Sequence, residues 1–382
     1  MMEKPAWYNR FYENTEEKLL QKGKVFVLIG PRRVGKTELI KKMISRIDGK
    51  IFSGTGDNLD LREVLSSQRL QRINSALGSY DLIFIDEAQR IPEIGYSIKL
   101  LIDSFPDKTI VLTGSSSFEL AGQLGEPLTG RQKQKTLFPL SVIELYEQLG
   151  GMGVLEILDE LLVFGSYPEV MKQQTEIDKT EYLHSLRDSY LLKDIFELED
   201  LKYPGKLFDL LKLLAFQIGH EVSMNELANS LGLAKQSVER YISLLEKAFV
   251  VKRLGGFSRN LRNEITKSSR YYFLDNGVRN AIINNFNPVA SRNDIGMLWQ
   301  NFMVMERLKK QEYQRVFSNN YFWRTYDQKE IDLIEDRGGK LYAFEFKFGS
   351  KKIKVPKQWQ NAYPDSEFTV VTPENFLEFL VG

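Results

Sequence analysis

Residues 24–37 read KVFVLIGPRRVGKT, an apolar run that leads directly into a glycine-rich loop. The loop fits the pattern G-x-x-x-x-G-K-[ST], and its members are Gly30, Pro31, Arg32, Arg33, Val34, Gly35, Lys36 and Thr37. It opens the helical stretch ELIKKMISRI, so it has the strand before it and the helix after it that a phosphate-binding loop requires. An ordinary glycine turn with a surface lysine is the alternative. We predict a nucleoside triphosphate site here, with Glu38 in the first helical turn among its contacts.

Each part of such a loop has a physical task. Backbone N–H groups and the N-terminus of the helix face phosphate oxygens, Lys36 reaches the β- and γ-phosphates, and Thr37 binds Mg²⁺. A second apolar run, at residues 82–85, ends in Asp86 and Glu87. We expect Asp86 to hold the magnesium shell and Glu87 to polarise the water that attacks the γ-phosphate. On its own a strand ending in Asp-Glu can be purely structural, but the phosphate loop favours the catalytic interpretation.

Strand-like and helix-like segments alternate over the first part of the chain. Apolar runs at 24–29, 82–85 and 109–112 are typical of buried parallel strands, with helical spacing between them. This alternation predicts an α/β fold with a P-loop NTPase parallel sheet over residues 1–140. From 141 to 218 only helical spacing remains, which predicts a helical domain.

The rest of the chain mixes both kinds of element. Residues 219–288 show two helix-like patterns separated by Gly232, then the strand-like stretches FVVKRLGG and SSRYYFLDN. Residues 289–382 combine a helix at 297–310 with YFWRTYD, EIDLIED and LYAFEFKFG, which predict three strands. The pattern predicts four domains: 1–140, 141–218, 219–288 and 289–382.

Composition excludes several kinds of chemistry. The 382 residues are 42% hydrophobic and 27% charged, which is typical of a folded soluble protein, and the net charge of +1 argues neither for nor against a nucleic-acid partner. Cysteine is absent and the only histidines are His184 and His220. Disulfides, thiol nucleophiles and cysteine or multi-histidine metal centres are therefore excluded, so any metal must sit on oxygen ligands. No run approaches the ~20 apolar residues of a membrane span, and the N-terminus lacks signal-peptide features, so we expect a cytoplasmic protein without a membrane partner.

Residues 1–220 resemble the P-loop ATPases of the AAA+ superfamily, specifically the bacterial and archaeal branch with GPRxVGKT and IDEAQ signatures. The matching stretches here are GPRRVGKT at 30–37 and IDEAQ at 85–89. The resemblance implies binding and hydrolysis of ATP with Mg²⁺, and a helical lid at 141–215. It also implies a polar residue after the next strand that contacts the γ-phosphate and the water. In the stretch TGSSS this residue is Ser115, with Ser116 as the alternative.

Two arginines have open roles under this resemblance. Leu128-Thr129-Gly130-Arg131 is similar to the family's glycine-arginine element, so Arg131 could sense phosphate, act as an arginine finger, or be a plain surface residue. A finger that acts in trans would require a homo-oligomer. Arg187, in the lid, either reaches the nucleotide or forms a structural ion pair with a nearby carboxylate.

A helix-turn-helix pattern follows the lid. Ser223 with Glu226 three residues on is a helix-capping pattern, and Gly232 marks the turn before a second helix at 235–247. The residues offered to a DNA major groove are Lys235, Gln236, Ser237 and Arg240. The two strand-like stretches would complete a winged helix. From Lys247 to Arg270 there are seven basic residues, Arg259 and Arg262 among them, and one acidic residue, which favours contact with DNA phosphates. The alternative is a helical module that packs on the lid or a partner.

The C-terminal strands carry charged residues in a suggestive arrangement. Asp332 is followed by the triplet Glu345-Phe346-Lys347, and alternation puts Glu345 and Lys347 on one face. Asp332 and Glu345 could cradle a divalent ion, while Lys347 orients the attacking water; Glu306, on the preceding helix, is the expected fourth member. A solvated sheet edge with a salt bridge between Glu345 and a lysine is the alternative.

Residues 290–382 resemble the PD-(D/E)xK nuclease fold of restriction endonucleases and Holliday-junction resolvases. The resemblance implies a restriction-endonuclease-like α/β domain with a metal-dependent cleavage site. Trp323 and Tyr326 lie beside this site in sequence; they could stack on bases, although core packing suits Trp323 better.

Three functional hypotheses follow. The first is an ATP-hydrolysing AAA+ protein that acts on DNA, with a nuclease domain gated by the ATP state. The second is an ATP-dependent binding switch whose nuclease-like domain is inactive and serves for docking. The third, a nucleotide kinase, shares the phosphate loop but is disfavoured by the adjacent Asp86-Glu87 pair.

Overall fold

A computed structural model describes residues 7–115, 124, 128–192, 203–257, 269–325, 328–349 and 354–382. The chain divides into two compact units. The P-loop unit contains residues 9–138 and 247–249. The second unit contains residues 1–8, 139–246 and 250–382.

The P-loop unit is built on a parallel sheet with helices between its strands. Its described strands are β1 (Val25–Ile29), β2 (Ile51–Thr55), β3 (Leu82–Asp86), β4 (Thr109–Gly114) and β5 (Gln132–Thr136). Its described helices are α1 (Glu16–Leu19), α2 (Lys36–Ile44), α3 (Leu59–Ser66), α4 (Leu70–Leu77) and α5 (Ile94–Ser104). The predicted α/β architecture with a parallel sheet is confirmed. Strand β2 was not predicted because its sequence, IFSGT, is only half-buried and carries no continuous apolar run.

The order of these strands positions the phosphate loop. The order is β2-β3-β4-β1-β5, and every pairing between these strands is parallel. The chain leaves β1 towards β2 on one side, while β5 lies on the other side. The loop that follows β1 therefore starts at a switch point of the sheet, where α/β folds form ligand crevices at the carboxyl ends of their strands. The ends of β3 and β4 lie on the same edge, next to the loop.

The second unit begins with helices. Their described bounds are α6 (Val142–Glu156), α7 (Leu158–Phe164), α8 (Pro168–Lys172), α9 (Glu176–Leu186), α10 (Pro204–Phe216), α11 (Met224–Leu231), α12 (Lys235–Lys247), α13 (Asn276–Ile283), α14 (Ile295–Gln314), α15 (Lys357–Ala362) and α16 (Phe376–Val381). The helices α6 to α10 agree with the helical stretch predicted from 141 to 218. Gly150 has φ 70° and ψ 173°, so it kinks α6. In the parts of the chain that are described, no helix is long and apolar enough to cross a bilayer.

One mixed sheet runs through the second unit. Its described strands are β6 (Glu221–Val222), β7 (Val251–Gly256), β8 (Ser269–Phe273), β9 (Asn319–Arg324), β10 (Glu330–Arg337), β11 (Lys340–Phe346) and β12 (Glu367–Val371). The order is β12-β11-β10-β9-β7-β8-β6, with β7 parallel to β9. The sheet thus crosses the predicted boundary at 288/289. The division into four domains stays a prediction.

Candidate nucleotide and acidic sites

The phosphate loop has a backbone that only particular residues tolerate. Gly30 has φ 147°, and a Cβ atom at this position would lie 2.0 Å from the carbonyl oxygen of Leu137. Gly35 has φ 92°, and Arg33 has φ 60°. Since L-residues with side chains rarely adopt such angles, the two glycines of the motif are conformational requirements.

Lys36 is buried in the loop. Its Nζ donates hydrogen bonds to the carbonyl oxygens of Gly30 and Pro31, both at 2.8 Å. Burial lowers the pKa of Lys36 to about 8, although the nearby carboxylates of Glu87 and Asp86 favour the charged form. The ammonium group is thus held across the loop, close to the carboxylates that end β3.

Thr37 and Asp86 lie side by side. The Thr37 hydroxyl donates to Oδ2 of Asp86 at 2.8 Å, and the Thr113 hydroxyl donates to Oδ1. A hydroxyl and a carboxylate side by side are hard oxygen donors, so these residues fit Mg²⁺. Thr113 lies in the TGSSS stretch singled out from the sequence, but its role beside Asp86 was not predicted.

Glu87 is held by two neighbours. It adopts a left-handed conformation with φ 48°, directly after β3. Its Oε2 accepts hydrogen bonds from Nε2 of Gln89 at 2.5 Å and from the Ser115 hydroxyl at 3.2 Å, and Gln89 also donates to Ser115 at 3.1 Å. Ser115 is therefore next to Glu87, where its proposed role needs it. Ser116 lies outside the described residues. The sequence indicated Gln89 only as a member of the IDEAQ signature, and its contact with Glu87 was missed.

Not every predicted nucleotide-site residue joins this cluster. The carboxylate of Glu38 is exposed and pairs with Lys41 at 3.1 Å, which leaves its backbone N–H as the group that could meet a phosphate. Arg187 pairs with Asp188 at 2.7 Å and donates to the Ala281 carbonyl, which is the structural role named as one alternative.

Arg131 lies at the wrong edge of the sheet for contact with the nucleotide of its own chain. It precedes β5, whose first residue is in register with Val25, whereas the phosphate loop follows Ile29. Five residues of strand separate the two edges, about 16 Å at ~3.3 Å per residue. Arg131 instead forms an ion pair with Asp103. Arg131 therefore does not sense phosphate in its own chain. That it acts as an arginine finger in a neighbouring subunit stays a prediction.

The second unit brings Asp332, Glu345 and Lys347 together. Nζ of Lys347 lies 2.9 Å from Oε1 of Glu345, and Oδ2 of Asp332 accepts the Phe346 N–H at 2.9 Å. Burial and the charge of Asp332 raise the pKa of Glu345 to about 7, against the opposing effect of Lys347. Burial also raises the pKa of Asp332. We call this group, with Glu330 and Arg270, the acidic site.

Arg270 enters the acidic site from β8. Its Nη2 lies 2.6 Å from Oε2 of Glu330, and its Nη1 lies 3.5 Å from Oδ1 of Asp332. The sequence prediction assigned Arg270 to a basic flank for DNA, but it is only 2% exposed. Among the described residues, Oε2 of Glu345 and Nε of Arg270 are buried without a hydrogen-bond partner. The acidic site therefore has one acceptor and one donor that a ligand could bind.

The prediction that Glu306 joins this site is wrong. Its carboxylate accepts the Val142 N–H at 2.7 Å and pairs with Lys309 at 2.6 Å, which anchors α14 to the start of α6. Helical spacing indicated that Glu306 faces inwards, but it could not indicate what the residue faces. In the described ranges no group of three or more acidic or histidine side chains is arranged to hold a metal ion. A metal at this site would rest on Asp332 and Glu345.

The predicted helix-turn-helix residues form two consecutive helices, α11 and α12. The Ser223 hydroxyl accepts the Glu226 N–H at 3.3 Å, and Gly232 has φ 64° where α11 ends. On α12, Lys235, Gln236 and Arg240 are exposed and Ser237 is half-buried. Lys235 pairs with Glu239 at 3.7 Å.

Of four further residues named from the sequence, the structure describes one. Trp323 is packed edge-to-face against Trp359 with ring centres 5.3 Å apart, which is the core role preferred for it. Arg259, Arg262 and Tyr326 lie outside the described residues.

Comparison with known proteins gives the class of this chain. Residues 22–146 match the family described as "AAA domain". Residues 155–289 and 295–379 match two families described as domains of unknown function, DUF8612 and DUF4143. The P-loop unit thus carries the ATPase domain of the AAA class, as the resemblance implied. The nuclease-like assignment of the C-terminal part has no support from these matches.

Relatives from bacteria and archaea share most of the chain. The uncharacterized protein Rv2008c of Mycobacterium tuberculosis is 30% identical over 339 residues, covering 86% of this chain and 71% of the relative. The uncharacterized protein MJ1544 of Methanocaldococcus jannaschii is 24% identical over 333 residues, covering 81% and 72%. This chain therefore belongs to the same family as Rv2008c, and its own residues 22–146 carry the AAA domain.

Solved structures give weaker likenesses. A Thermotoga maritima RuvB variant is 21% identical with a TM-score of 0.31, covering 60% of this chain and 82% of RuvB. A STAND protein with a tetratricopeptide repeat sensor from Pyrococcus horikoshii is 14% identical with a TM-score of 0.28, covering 79% and 46%. These scores are too low to support an argument about function.

Proposed function

We propose that this AAA ATPase is a nucleotide-driven switch that hydrolyses ATP with Mg²⁺ in the P-loop unit and acts on DNA through the second unit. The observation that carries the first half is the cluster at the end of β3. There Thr37 and Asp86 lie 2.8 Å apart, and Glu87 is held by Gln89 and Ser115.

The side chains of this cluster divide the work of hydrolysis. Thr37 and Asp86 would hold Mg²⁺, which when bound neutralises charge on the β- and γ-phosphates. Lys36 exchanges the carbonyl oxygens of Gly30 and Pro31 for phosphate oxygens, and this exchange keeps its ammonium group fully bonded. Glu87 accepts the proton of the attacking water, while Ser115 keeps that carboxylate oriented towards the γ-phosphate side.

The DNA half of the proposal rests on the order of elements from α10 to β8. A helix, a short strand, two helices and two strands follow one another, and β6, β8 and β7 pair in that order. This is the arrangement expected of a winged helix. The start of α12 exposes Lys235 and Gln236, and β7 exposes Lys252. Helix α12 and strand β7 therefore offer hydrogen-bond donors for DNA phosphates and base edges.

A second candidate function is metal-dependent cleavage of DNA at the acidic site, gated by the ATP state. The unpartnered Oε2 of Glu345 and the ammonium of Lys347 beside it favour this function. The ion pair of Arg270 with Asp332 favours the opposite, an inactive docking domain, because a guanidinium already neutralises one of the two carboxylates that a metal would use.

The test compares ATP turnover and DNA cleavage in three proteins. Wild type, Lys36→Ala and Glu345→Gln are assayed for phosphate release with Mg²⁺, and for cutting of labelled single-stranded, duplex and branched DNA with Mg²⁺ or Mn²⁺. We expect Lys36→Ala to lose ATP turnover and Glu345→Gln to keep it. An undiminished rate in Lys36→Ala would contradict the nucleotide site. Cleavage that disappears in Glu345→Gln supports the nuclease, and DNA binding without cleavage supports the docking domain.

A further inference from the structure

Arg10 lies fifteen residues before the first residue of β1, in a segment to which the sequence motifs assign no role. It is only 5% exposed. Its Nη1 donates a hydrogen bond to the carbonyl oxygen of Val34, inside the phosphate loop, and its Nη2 donates to the carbonyl oxygen of Phe138 at 2.6 Å. The guanidinium thus joins the end of the loop to the chain that follows β5.

We propose that Arg10 is a positioning residue of the phosphate loop, which fixes the peptide between Val34 and Gly35 so that the Gly35 N–H points at bound phosphate. The proposal rests on the ATPase function of the P-loop unit and adds a residue to its binding machinery.

Peptide geometry carries the argument. In a planar trans peptide the C=O of one residue and the N–H of the next point in opposite directions. When Arg10 holds the Val34 carbonyl on its own side, the Gly35 N–H must face the opposite side. Phosphate loops bind through converging backbone N–H groups, and Gly35 is the glycine that precedes the loop lysine. One guanidinium therefore sets the direction of one of the phosphate donors.

The second contact of Arg10 braces the loop. Gly30, at the start of the loop, packs so closely on Leu137 that a Cβ atom there would lie 2.0 Å from the Leu137 carbonyl oxygen. Arg10 binds the next carbonyl along, that of Phe138. Both ends of the loop are therefore held by contacts to the same two residues after β5, Leu137 and Phe138. These contacts limit how far the loop can move when no phosphate is bound.

The segment that carries Arg10 has anchors of its own. Glu13 pairs with Lys42 at 2.5 Å and with Arg46 at 3.5 Å, and Arg46 also pairs with Glu16 at 2.8 Å. These ion pairs hold residues 13–16 against Lys42 on α2 and against Arg46 just after α2, and they do not involve the loop. Arg46 therefore offers a matched control, because its removal loosens the segment and leaves the two carbonyl acceptors of the Arg10 guanidinium, Val34 and Phe138, in place.

The experiment measures the Kd of fluorescent ADP and of a slowly hydrolysed ATP analogue for wild type, Arg10→Gln, Arg46→Gln and Lys36→Ala, with circular dichroism to verify folding. We expect Arg10→Gln to bind both nucleotides at least tenfold more weakly, since backbone donors of the loop cradle phosphates that ADP and ATP share. In turnover assays its KM should rise while kcat at saturation stays within about threefold, because Asp86 and Glu87 are untouched.

Three outcomes would overturn the proposal. These are unchanged affinity in folded Arg10→Gln, an equally weakened affinity in Arg46→Gln, and a fall in kcat with no change in KM. If Arg10→Gln does not fold, Arg10→Lys is measured in its place against the same criterion of weaker binding, because a lysine keeps the charge but replaces the forked guanidinium by a single ammonium nitrogen. Absence of nucleotide binding by the wild type would instead remove the ATPase function itself.

Discussion

Lys36 illustrates how much a single side chain depends on its surroundings. Its ammonium group is buried between two loop carbonyls, with Asp86 and Glu87 nearby and Arg32 opposing it, and the net effect lowers its pKa to about 8. Only the charged form can bind phosphate strongly. Nucleotide binding should therefore couple to the protonation of this residue.

We predict that ATP binding takes up protons above about pH 8 and that the Kd rises by up to tenfold per pH unit there, because the neutral lysine must be protonated first. Calorimetry at pH 8.5 in two buffers of different ionisation enthalpy measures the uptake. Lys36→Arg, which stays charged, is the control and should show none. Equal uptake in both proteins would contradict the prediction.

Because the unfolded chain holds this proton more tightly, the free energy of unfolding should also increase from about pH 8 to 10.5.

Glu306 is a residue whose role the structure reassigns from chemistry to stability. Its carboxylate is buried between the Val142 N–H and Lys309, which itself donates to the Leu140 carbonyl at 3.1 Å. Removing one partner of a buried ion pair leaves an uncompensated charge.

We therefore predict that Glu306→Ala lowers the free energy of unfolding by roughly 3–5 kcal/mol. Denaturant titration measures this, and Glu181→Ala, an exposed change on α9, should stay within about 0.5 kcal/mol of wild type. A stable Glu306→Ala protein that has lost a metal-dependent activity would restore Glu306 to the acidic site.

At the scale of elements, the pair α11 and α12 combines a well-formed turn with a modest charge. The cap at Ser223 and the left-handed Gly232 define the turn, but Glu239 sits among the exposed basic residues of α12 and partly neutralises Lys235. DNA affinity should therefore depend strongly on the few basic side chains that the pair presents.

We predict that Lys235→Glu and Arg240→Glu each weaken DNA binding. Each should also reduce the magnitude of the slope of log K against log salt concentration by about one for each DNA phosphate that is no longer neutralised. Fluorescence anisotropy at several salt concentrations measures both effects. Lys340→Glu is the control, because Lys340 lies on β11, three strands along the sheet from β7. Unchanged affinity in both α12 variants would remove this helix from the DNA proposal.

At the scale of the whole molecule, the second unit is built on one sheet whose strands come from both sides of the predicted domain boundary at 288/289. Strand β7 pairs with β9 in parallel, and Arg270 on β8 pairs with Asp332 and Glu330 on β10. Strands separated widely in sequence thus share hydrogen bonds and charge compensation.

We predict that a fragment of residues 289–382 does not fold alone, whereas residues 139–382 unfold cooperatively. Without β7 and β8 the strand β9, with Phe322 and Trp323, becomes an open edge, and Asp332 loses its buried cation. Thermal unfolding followed by circular dichroism distinguishes the two fragments. A cooperative transition in monomeric 289–382 would show that the predicted boundary is a true domain boundary.

The nucleotide site was predictable because its parts are short, contiguous and tied to strands. A glycine-rich loop after an apolar run and an Asp-Glu pair after another must meet at one sheet edge if both strands are parallel, and Thr37 and Asp86 do meet there. The α/β class followed from the same alternation. Strands β2 and β6 were missed since their weakly apolar or very short sequences carry little period-two signal. Strand β12, EFTVV, does alternate polar and apolar residues and was overlooked.

By itself, then, the sequence determined the phosphate loop, its acidic partners and the α/β class, since those features depend on local order along the chain. Only the tertiary structure decided that Arg10 braces the loop, that Arg131 lies at the far edge, that Arg270 enters the acidic site and that Glu306 does not. The reason is that periodicity indicates whether a side chain faces inwards, whereas strand order and register determine which side chain it meets.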